Sequence, residues 1–537
     1  MPDDEFSPYN VVDVKRAAAE LLGERIDDGV TDATSALQVI IDDAPDGAAI
    51  YFPEGEYLIG DLYVGPFPFR GRVLEPRFGR SGLTFFGDGH KSILKRRVDA
   101  QRIATVLNGT NITFTSLGFD ANGIGQSAYG GGLFFHGCSR VRVYDTFAFD
   151  RAFSHPDAQP ELGRVPYSSF VEIDESMLCD RNAFAFAKTK QIWMCGNIVW
   201  DQQVTFAGCS SVIVSNNTLV NPIFRGIKIG FHESPLPVVG YVPVGDALEI
   251  LPEYRILSFE NLGTHDVDYE ITGNIITNAW THAIQIGTGP FSDPHDEGNE
   301  QFARIRIAGN LVRKLPEISD EGNPAPPHPY ELHAELSAEP SHRSRTYGCG
   351  VLAGRGIATS EVDYTLRPVV LNPNSYTDLT IEGNDVSLEN PLNRASHGIF
   401  LQAAWAHVGQ AVVFEEWFER AVVRDNCVRN VSVSDELRSD PLLQVPNLSV
   451  VCWGLRSSTV AGNGIFDVDY GILIFGVSRT HVYANRVDAA TVAYWFQQSS
   501  GDNYLVDNAV IGSPDVPYNA ALFAGGGGAA ADLLRRL

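Results

Sequence analysis

The sequence lacks an excess of basic charge, and this absence excludes the usual partners of basic proteins. Of its 537 residues, 40 are lysine or arginine and 66 are aspartate or glutamate, so the formal net charge is −26. Only seven of the basic residues are lysine. Because nucleic-acid binding depends on a basic face, we expect no nucleic acid as a partner. The acidity itself is typical of a solvated surface.

Paired cysteines and long apolar runs are also missing. The seven cysteines are spread singly without a Cys-x-x-Cys pair, so we expect no zinc site, no disulfide framework and no cofactor. No stretch approaches the ~20 apolar residues that cross a bilayer, and we expect no membrane partner. The first six residues lack the basic and apolar regions of a signal peptide. We therefore expect either a cytoplasmic protein or a secreted one whose signal has been cleaved.

A repeat is present from about residue 130 onward, and it replaces the default expectation of several domains. Each copy reads Gly-apolar-x-apolar, a short turn, apolar-x-apolar and then asparagine. Where loops are short, successive asparagines lie about twenty residues apart, as in a coil of three short strands. Period-2 alternation places Ile227 and Ile229 inward and Lys228 outward. The asparagines, which we expect at turns, are Asn216, Asn274, Asn310, Asn384, Asn426, Asn463, Asn485 and Asn508.

An amphipathic helix is predicted ahead of the coils. Thr31 or Asp32 can cap its start. Leu37, Ile40 and Ile41 share one face of the helix. Because a stack of coils needs its open end covered, we expect this face to cover the first coil.

The segment around this helix closely resembles the opening of pectin-lyase-like β-helix proteins, D-G-x-x-D-x-T-x-A-[IL]-Q followed by FP-x-G-x-Y. That superfamily includes polygalacturonases, pectate-lyase-related enzymes, mannuronan epimerases, inulin fructotransferases and phage tail-spike depolymerases. The resemblance implies an all-β fold, a right-handed parallel β-helix with an N-terminal capping α-helix, and a poly- or oligosaccharide substrate. We predict one domain over 1–537, with the cap and first strand in 9–60, coils over about 100–525 and a tail over 526–537.

Long insertions surround one part of the predicted stack, and long loops on a rigid scaffold commonly carry function. They wall the face formed by the first strands of the coils, along which relatives of this fold also have their substrate groove. Loops that decorate the surface or join copies in a homo-oligomer are the alternative. The insertions are 231–258, 288–303, 354–372 and 403–418 after first strands, and 316–347 and 432–447 on the opposite edge.

Polar residues near this face are the candidate site. Hydrolysis of a glycosidic bond needs two carboxyl groups, one protonated and one ionised. Residues in one column are ~5 Å apart, so Glu233 with Asp293 or Asp296 could flank a bond. The catalytic candidates are Glu233, Asp293, Asp296, His232, Lys228 and His295. The substrate-binding candidates are Arg225, Gln285, His282, Arg355, Trp405 and Trp453. A second polar cluster comprises Glu172, Asp174, Glu175 and Lys188.

Two other functions stay open beside a hydrolase or intramolecular glycosyl transferase. A polysaccharide lyase or uronate epimerase needs a base and neutralisation of a carboxylate, for which Lys228, Arg225 and His295 could serve. Residues 293–295, Asp-Pro-His, resemble the core of the epimerase motif Y-G-x-D-P-H without its Tyr-Gly. Residues 225–228, Arg-Gly-Ile-Lys, are one residue longer than the R-x-K of polygalacturonases. The third function is a non-catalytic glycan-binding or structural β-helix.

Overall fold

The computed structural model describes most of the coils and little of the insertions. The described residues are 11–23, 25–65, 79–100, 102–122, 131–150, 182–220, 222, 225–230, 241–244, 247–250, 265–279, 282–287, 301–314, 349–354, 375–388, 397–403, 405–408, 411–414, 417–431, 448–497 and 503–522. Within them the chain has two helices, and almost everything else is strand. No described helix is long and apolar enough to cross a bilayer.

The elements follow one another with short turns. The helices are α1 (Val14–Leu22) and α2 (Thr34–Asp43). The first strands are β1 (Val11–Asp13), β2 (Asp28–Asp32), β3 (Ala49–Phe52), β4 (Gly55–Ile59), β5 (Leu62–Val64), β6 (Thr84–Arg96), β7 (Arg102–Leu107), β8 (Thr110–Asp120), β9 (Gly131–His136), β10 (Ser139–Tyr144), β11 (Phe147–Phe149), β12 (Asn182–Ala187), β13 (Lys190–Cys195), β14 (Ile198–Trp200), β15 (Gln203–Ala207), β16 (Ser210–Ser215), β17 (Thr218–Val220), β18 (Arg225–Ile229), β19 (Tyr241–Val244) and β20 (Ala247–Ile250). The others are β21 (His265–Thr272), β22 (Ile275–Thr277), β23 (His282–Ile286), β24 (Gln301–Ala308), β25 (Leu311–Lys314), β26 (Cys349–Gly354), β27 (Ser375–Glu382), β28 (Asp385–Leu388), β29 (His397–Gln402), β30 (Trp405–Val408), β31 (Ala411–Phe414), β32 (Phe418–Glu419), β33 (Val422–Arg424), β34 (Cys427–Arg429), β35 (Leu448–Trp453), β36 (Leu455–Arg456), β37 (Thr459–Ala461), β38 (Gly464–Phe475), β39 (His481–Tyr483), β40 (Arg486–Gln497), β41 (Tyr504–Val506), β42 (Ala509–Val510) and β43 (Val516–Leu522).

The chain divides into two compact units. The N-terminal unit is Met1–Pro166, Ile173–Ile223 and Ser234–Leu262, and the C-terminal unit is Tyr167–Glu172, Phe224–Glu233 and Gly263–Leu537. In the N-terminal unit, parallel strands stack into three sheets, which we call A, B and C. Sheet A is β5, β7, β9, β12 and β15. Sheet B is β3, the start of β6, the start of β8, β10, β13 and β16. Sheet C is β4, the end of β6, the end of β8, β11, β14 and β17.

The C-terminal unit repeats this arrangement. Its sheet A is β18, β23, β26, β29, β35, the ends of β38 and β40, and β43. Its sheet B runs from β21 to β41, and its sheet C from β22 to β42. The predicted right-handed parallel β-helix is confirmed. One uninterrupted coil over about 100–525 stays a prediction. Two predicted insertions each contain an antiparallel hairpin, β19–β20 and β30–β31.

Aromatic rings stack along the interior of the N-terminal coils. The rings of Phe135, Phe186 and Phe206 lie one above another, with centroids 4.8 and 5.0 Å apart. Cys138 and Cys209 occupy matching buried positions, and each Sγ donates to backbone carbonyls. Thiols in such positions are small apolar core residues.

Buried asparagine side chains form a hydrogen-bonded column between sheets B and C of the C-terminal unit. In Asn310 the backbone N–H and Nδ2 donate to Oδ1 of Asn384 at 3.0 and 2.9 Å, and Nδ2 also donates to the Ile271 carbonyl at 2.9 Å. Equivalent bonds join the other members. The column is Asn274, Asn310, Asn384, Asn426, Asn463, Asn485 and Asn508. In a central member such as Asn310 the backbone N–H, Nδ2 and Oδ1 all have hydrogen-bond partners. The column therefore fixes the register of the coils.

The left-handed residue of each turn is a different residue from the column asparagine. Two neighbouring residues therefore supply the amide and the left-handed backbone of each turn. The residue before each column member has a positive φ, and these residues are Gly273, Gly309, Gly383, Asp425, Gly462, Ala484 and Asp507. In the N-terminal unit, Asn216 lies at its turn as predicted, exposed and with φ 55°. Asn217 takes the column position, and its Oδ1 accepts from the N–H and Nδ2 of Asn197 at 3.0 and 2.8 Å.

Helix α2 covers the first strand of sheet A as predicted. Leu37, Ile40 and Ile41 are all buried. The side-chain amide of Gln38 bonds both backbone groups of Tyr63 in β5, accepting from its N–H and donating to its carbonyl at 2.9 Å each. The helix therefore pairs the edge strand as a further strand would, which prevents association through that edge.

The start of α2 and the presence of α1 refine the sequence prediction. The N-cap of α2 is Ala33, which makes no side-chain capping bond, so neither predicted residue holds that position. Asp32, one residue earlier, accepts the N–H of Thr34 at 3.0 Å, whereas the N–H of Thr31 donates to Asp28. Helix α1 was missed. Its N-cap is Asp13, which accepts from the N–H of Arg16, and it packs against α2.

Charged side chains on sheet B of the C-terminal unit form exposed ladders of alternating sign. Arg304 bonds the carboxylate of Asp268 through Nε and Nη2, and Arg420 bonds that of Asp378 in the same way. Each exposed pair stabilises the fold by only ~0–1 kcal/mol, so these arginines have a structural surface role.

We expect substitutions of two adjacent asparagines to differ strongly in their effect on the free energy of unfolding. Asn217→Ala removes the acceptor of two donors of Asn197 and the donor to the Met194 carbonyl. Since each buried group left unpaired costs ~1–3 kcal/mol, the free energy of unfolding should fall by roughly 3 kcal/mol or more. Asn216→Gly introduces the residue common at left-handed positions and should change it by less than ~1 kcal/mol. Urea unfolding measures both, and equal effects would contradict the column.

The cap predicts two graded defects. Leu37→Asp buries a carboxylate and uncovers the first coil, so it should give aggregated protein. Gln38→Met keeps the apolar cover but removes both bonds to Tyr63, so it should fold with a lower Tm, by an equivalent of roughly 2 kcal/mol. Asp43→Asn, an exposed change at the end of α2, is the control. A Gln38→Met protein as stable as the control would contradict the pairing role.

Candidate functional site

Two polar residues lie next to each other on the outer face of sheet A in the C-terminal unit. Lys228 on β18 is in register with Gln285 on β23. Their neighbours Ile227 and Ile229 are completely buried in the coil interior, so alternation places Lys228 on the opposite face, as predicted. Both polar side chains are only 2% exposed. They are therefore buried outside the core, not displayed on an open surface.

The first residues of the same two strands add a guanidinium and an imidazole. Arg225 is in register with His282, and its side chain is 4% exposed while that of His282 is half-buried. Neighbouring strands are ~5 Å apart. Arg225, Lys228, His282 and Gln285 thus belong to two adjacent rungs of sheet A, and we call these residues the rung cluster. Its donors suit an oxyanion or sugar hydroxyls, and an imidazole can also transfer a proton.

Other predicted site residues cannot be placed beside this cluster. Trp405 has its backbone in β30, and its side chain lies outside the described residues. The candidates outside the described residues are His232, Glu233, Asp293, His295, Asp296 and Arg355, with Glu172, Asp174 and Glu175 of the second cluster. No group of three described His, Cys, Asp or Glu residues is arranged to hold a metal ion.

The outer face becomes apolar beyond β23. The positions in line with Lys228 and Gln285 are Leu352, Phe400, Val451 and Leu473, which pack into one buried cluster. Trp453 packs beside them, with its ring edge-to-face against Phe400 at 5.4 Å and Phe475 at 5.7 Å. Its ring is half-buried, and its predicted role in stacking on a sugar stays a prediction.

His397 and Gln402 are polar residues of this face that sequence reasoning missed. His397 is 2% exposed, its Nδ1 accepts the N–H of Leu448 at 3.2 Å, and burial lowers its pKa to about 4. Gln402 is also buried, and its Oε1 has no donor among the described residues. A signal for His397 was available. It precedes Gly-Ile-Phe-Leu as Arg225 precedes Gly-Ile-Lys-Ile, so both begin a first strand.

Residues 25–159 match a family model described as rhamnogalacturonase A/epimerase, pectate lyase-like. This segment contains α2 and the coils up to β11, which have the parallel three-sheet arrangement. The chain is a parallel β-helix, and its residues 25–159 resemble the pectin-lyase-like proteins. Since the match covers 135 of 537 residues, it leaves the subfamily of this β-helix unresolved. No curated protein matches the sequence.

Solved structures resemble the chain only distantly. An exopolygalacturonase from Thermotoga maritima is 10% identical, with a TM-score of 0.45 and coverage of 94% of this chain and 92% of that one. A surface protein and adhesin of Streptococcus pneumoniae is 12% identical, with a TM-score of 0.42 and coverage of 95% of this chain and 98% of that one. The A-module of a mannuronan C-5 epimerase from Azotobacter vinelandii is 12% identical, with a TM-score of 0.34 and coverage of 94% of this chain and 97% of that one. TM-scores this low carry no argument about the activity of the β-helix.

The buried His397 predicts a pH dependence of stability. Burial lowers its pKa from 6.5 to about 4, so the unfolded chain binds a proton in that interval and the folded chain does not. The contribution of His397 is complete above about pH 6.5 and is lost as the pH falls towards 4. It amounts to about 3 kcal/mol at 1.36 kcal/mol per pKa unit.

We expect His397→Asn to reduce the fall in the urea midpoint between about pH 7 and about pH 4.5. The exposed His265→Asn should retain the wild-type dependence. If both variants retain it, the imidazole is not held in its neutral form.

Proposed function

We propose that the protein is an enzyme that binds a poly- or oligosaccharide at the rung cluster and cleaves its glycosidic bonds. The observation that carries the proposal is the cluster itself, four polar residues on two adjacent strands, of which Lys228 and Gln285 are in register on the outer face. The pectin-lyase-like β-helix is a carbohydrate-active family, which supports the substrate class.

The position of the cluster supports a functional role over a structural one. Burying polar and charged groups costs free energy even when they are partnered, whereas apolar side chains at equivalent positions stabilise the fold. The same line of the face accommodates Leu352 and Phe400 on its next rungs. Lys228 and Gln285 are therefore retained at a cost, which is common where stability gives way to function.

The proposed chemistry divides the residues by role. Glu233 with Asp293 or Asp296 would act as the acid and base that hydrolysis requires, assisted by His232. Arg225, Lys228, His282 and Gln285 would bind and orient the sugar, which lowers the entropic part of the barrier. Trp405 and Trp453 would stack on sugar rings, and Arg355 would bind hydroxyls.

A lyase or uronate epimerase is the second candidate, and one observation favours it. The rung cluster supplies two permanent cations and an imidazole, and none of its four members is a carboxylate. Cations in a water-poor site would neutralise the carboxylate of a uronate and stabilise the charge that develops after removal of the neighbouring proton. Lys228, Arg225 and His295 would then be the reacting and neutralising groups.

The products distinguish the candidates. The full chain is incubated with a panel of neutral and acidic polysaccharides, and reducing ends, unsaturated uronate absorbance and uronate epimers are measured. We expect new reducing ends without unsaturation. New ends with unsaturation would replace the hydrolase by the lyase, and altered epimers without new ends by the epimerase. Absence of every product on the whole panel would favour a non-catalytic β-helix.

On the active substrate, Glu233→Gln and Asp293→Asn should each lower kcat at least ~100-fold in folded protein. Lys228→Met should mainly raise KM, because it removes a binding charge. Glu270→Gln, an exposed carboxylate on sheet B, is the matched control and should retain activity. Normal turnover in both carboxylate variants would show that the acid and base lie elsewhere.

A further inference from the structure

The outer face of sheet A in the N-terminal unit carries an apolar floor with cations around it. Phe134, Ala185 and Ala187 form a buried cluster on this face. The guanidinium of Arg102, from the start of β7, lies over the Phe134 ring at 4.3 Å from its centroid. A guanidinium held over a ring face can still offer N–H groups to a planar acceptor.

His136 and Lys188 complete the group. His136, at the end of β9, is in register with Ala187, and Lys188 follows Ala187 directly. Burial lowers the pKa of His136 to about 4, and the charges of Lys188 and Arg102 act in the same direction. These residues are therefore close enough to influence one another, and we call Arg102, His136 and Lys188 the basic cluster.

Two of the three members of the basic cluster, Arg102 and His136, are buried. Arg102 is 3% exposed and His136 6%, and within the described part of the chain neither Nη2 of Arg102 nor Nδ1 of His136 has a hydrogen-bond partner. Among the described residues, no carboxylate forms an ion pair with any member. The nearby Asp61 accepts the backbone N–H of Arg102 at 3.1 Å. Buried cations are normally paired, so this arrangement is costly in the empty state.

A second buried arginine of the same unit shows the usual solution. Arg96 is 1% exposed, and its Nε donates to the Ala121 carbonyl at 2.7 Å while its Nη1 donates to the Ala100 carbonyl. The fold therefore can satisfy a buried guanidinium with backbone carbonyls. The guanidinium of Arg102 instead lies over the ring of Phe134, which belongs to the outer-face cluster.

Lys188 is held in a backbone conformation that suits lysine poorly. Its φ is 47°, in the left-handed region that L-residues other than glycine and asparagine rarely adopt. The corresponding turn residues of other coils are Asn108, Gly137 and Gly208. Lys188 thus stands at a turn position that asparagine or glycine occupies in the neighbouring coils.

We propose that the basic cluster is a separate binding site for a carboxylate group, borne by an acidic sugar or by a small organic acid. The guanidinium fork matches the two oxygens of a carboxylate, Lys188 supplies a point charge, and the apolar floor accommodates the carbon skeleton. Lys188 is half-buried and marks the side from which a ligand enters. The assignment of the carboxylate to an acidic sugar rests on the proposed function, whereas carboxylate binding itself does not.

Calorimetry on the full chain tests the assignment with glucuronate, acetate, glucose and phosphate as probes. We expect saturable binding of glucuronate and weaker or equal binding of acetate, with none of glucose. Tighter binding of glucuronate than of acetate assigns the site to an acidic sugar, and equal binding to the carboxylate alone. Binding of phosphate but of neither carboxylate, or of no probe at all, overturns the proposal.

Matched variants locate the site. Arg102→Gln and Lys188→Gln should each raise the Kd of glucuronate at least about 10-fold, since each removes a charge-assisted bond. Arg142→Gln and Lys190→Gln, on sheet B, should leave it unchanged. Lys188→Gln preserves the test if the Arg102 variant does not fold. Unchanged affinity in every folded variant of the cluster overturns the site.

The pKa of His136 distinguishes a binding role of the basic cluster from a structural one, because only a bound carboxylate would change it. A carboxylate bound beside His136 should raise its pKa above about 4, followed by NMR titration with glucuronate and assigned with His136→Gln. An unaltered titration in the saturated protein counts against the site. Carboxylate binding without turnover of any glycan would refute the proposed function but support this site. Turnover of glycans without carboxylate binding would support the proposed function but refute this site.

Discussion

The column of buried asparagines is the constraint on which the coil geometry of the C-terminal unit depends. Asn463 and Asn485 are 22 residues apart in the sequence, and Asn310 and Asn384 are 74 apart. The N–H to Oδ1 distances are nevertheless 3.1 and 3.0 Å. Each coil therefore returns to the same register whatever the length of chain inserted into it. Insertions are thus decoupled from the scaffold, which lets them vary without loss of the fold.

Because the register is fixed, the place of a residue within its coil determines where it lies on the outer face of sheet A. Residues on successive rungs stand ~5 Å apart with little freedom to adjust, so a change from polar to apolar side chains along one line divides the face sharply. Lys228 and Gln285 form the polar part, and Leu352 and Phe400 begin the apolar part. A ligand bound at the polar rungs meets preorganised donors, and the packed apolar rungs beyond it resist deformation.

Sequence patterns predicted the features that arise from local periodicity. Alternation placed Lys228 outward, and amphipathicity identified the face of α2, because both depend on neighbouring residues alone. Asn216 lies at its turn as predicted, but the sequence did not show that Asn217 holds the column position, since either residue suits a turn until the burial of one is known. Burial of the outer face could not be predicted, since it depends on how distant segments cover the strands. His136 was overlooked for the same reason, because its strand reads as an ordinary apolar run.

The distribution of arginine shows why a strongly acidic chain can hold sites for anions. On sheet B, arginines such as Arg304 and Arg420 are neutralised by aspartates one rung away and contribute no net positive field. Arg102 on sheet A has no such carboxylate partner among the described residues, and its surroundings are apolar. A charge in a low-dielectric setting acts far more strongly than one in water, so a few unpaired cations outweigh a distant acidic surface. The same surface repels anions elsewhere on the molecule, so selectivity for the site follows from the contrast between the two.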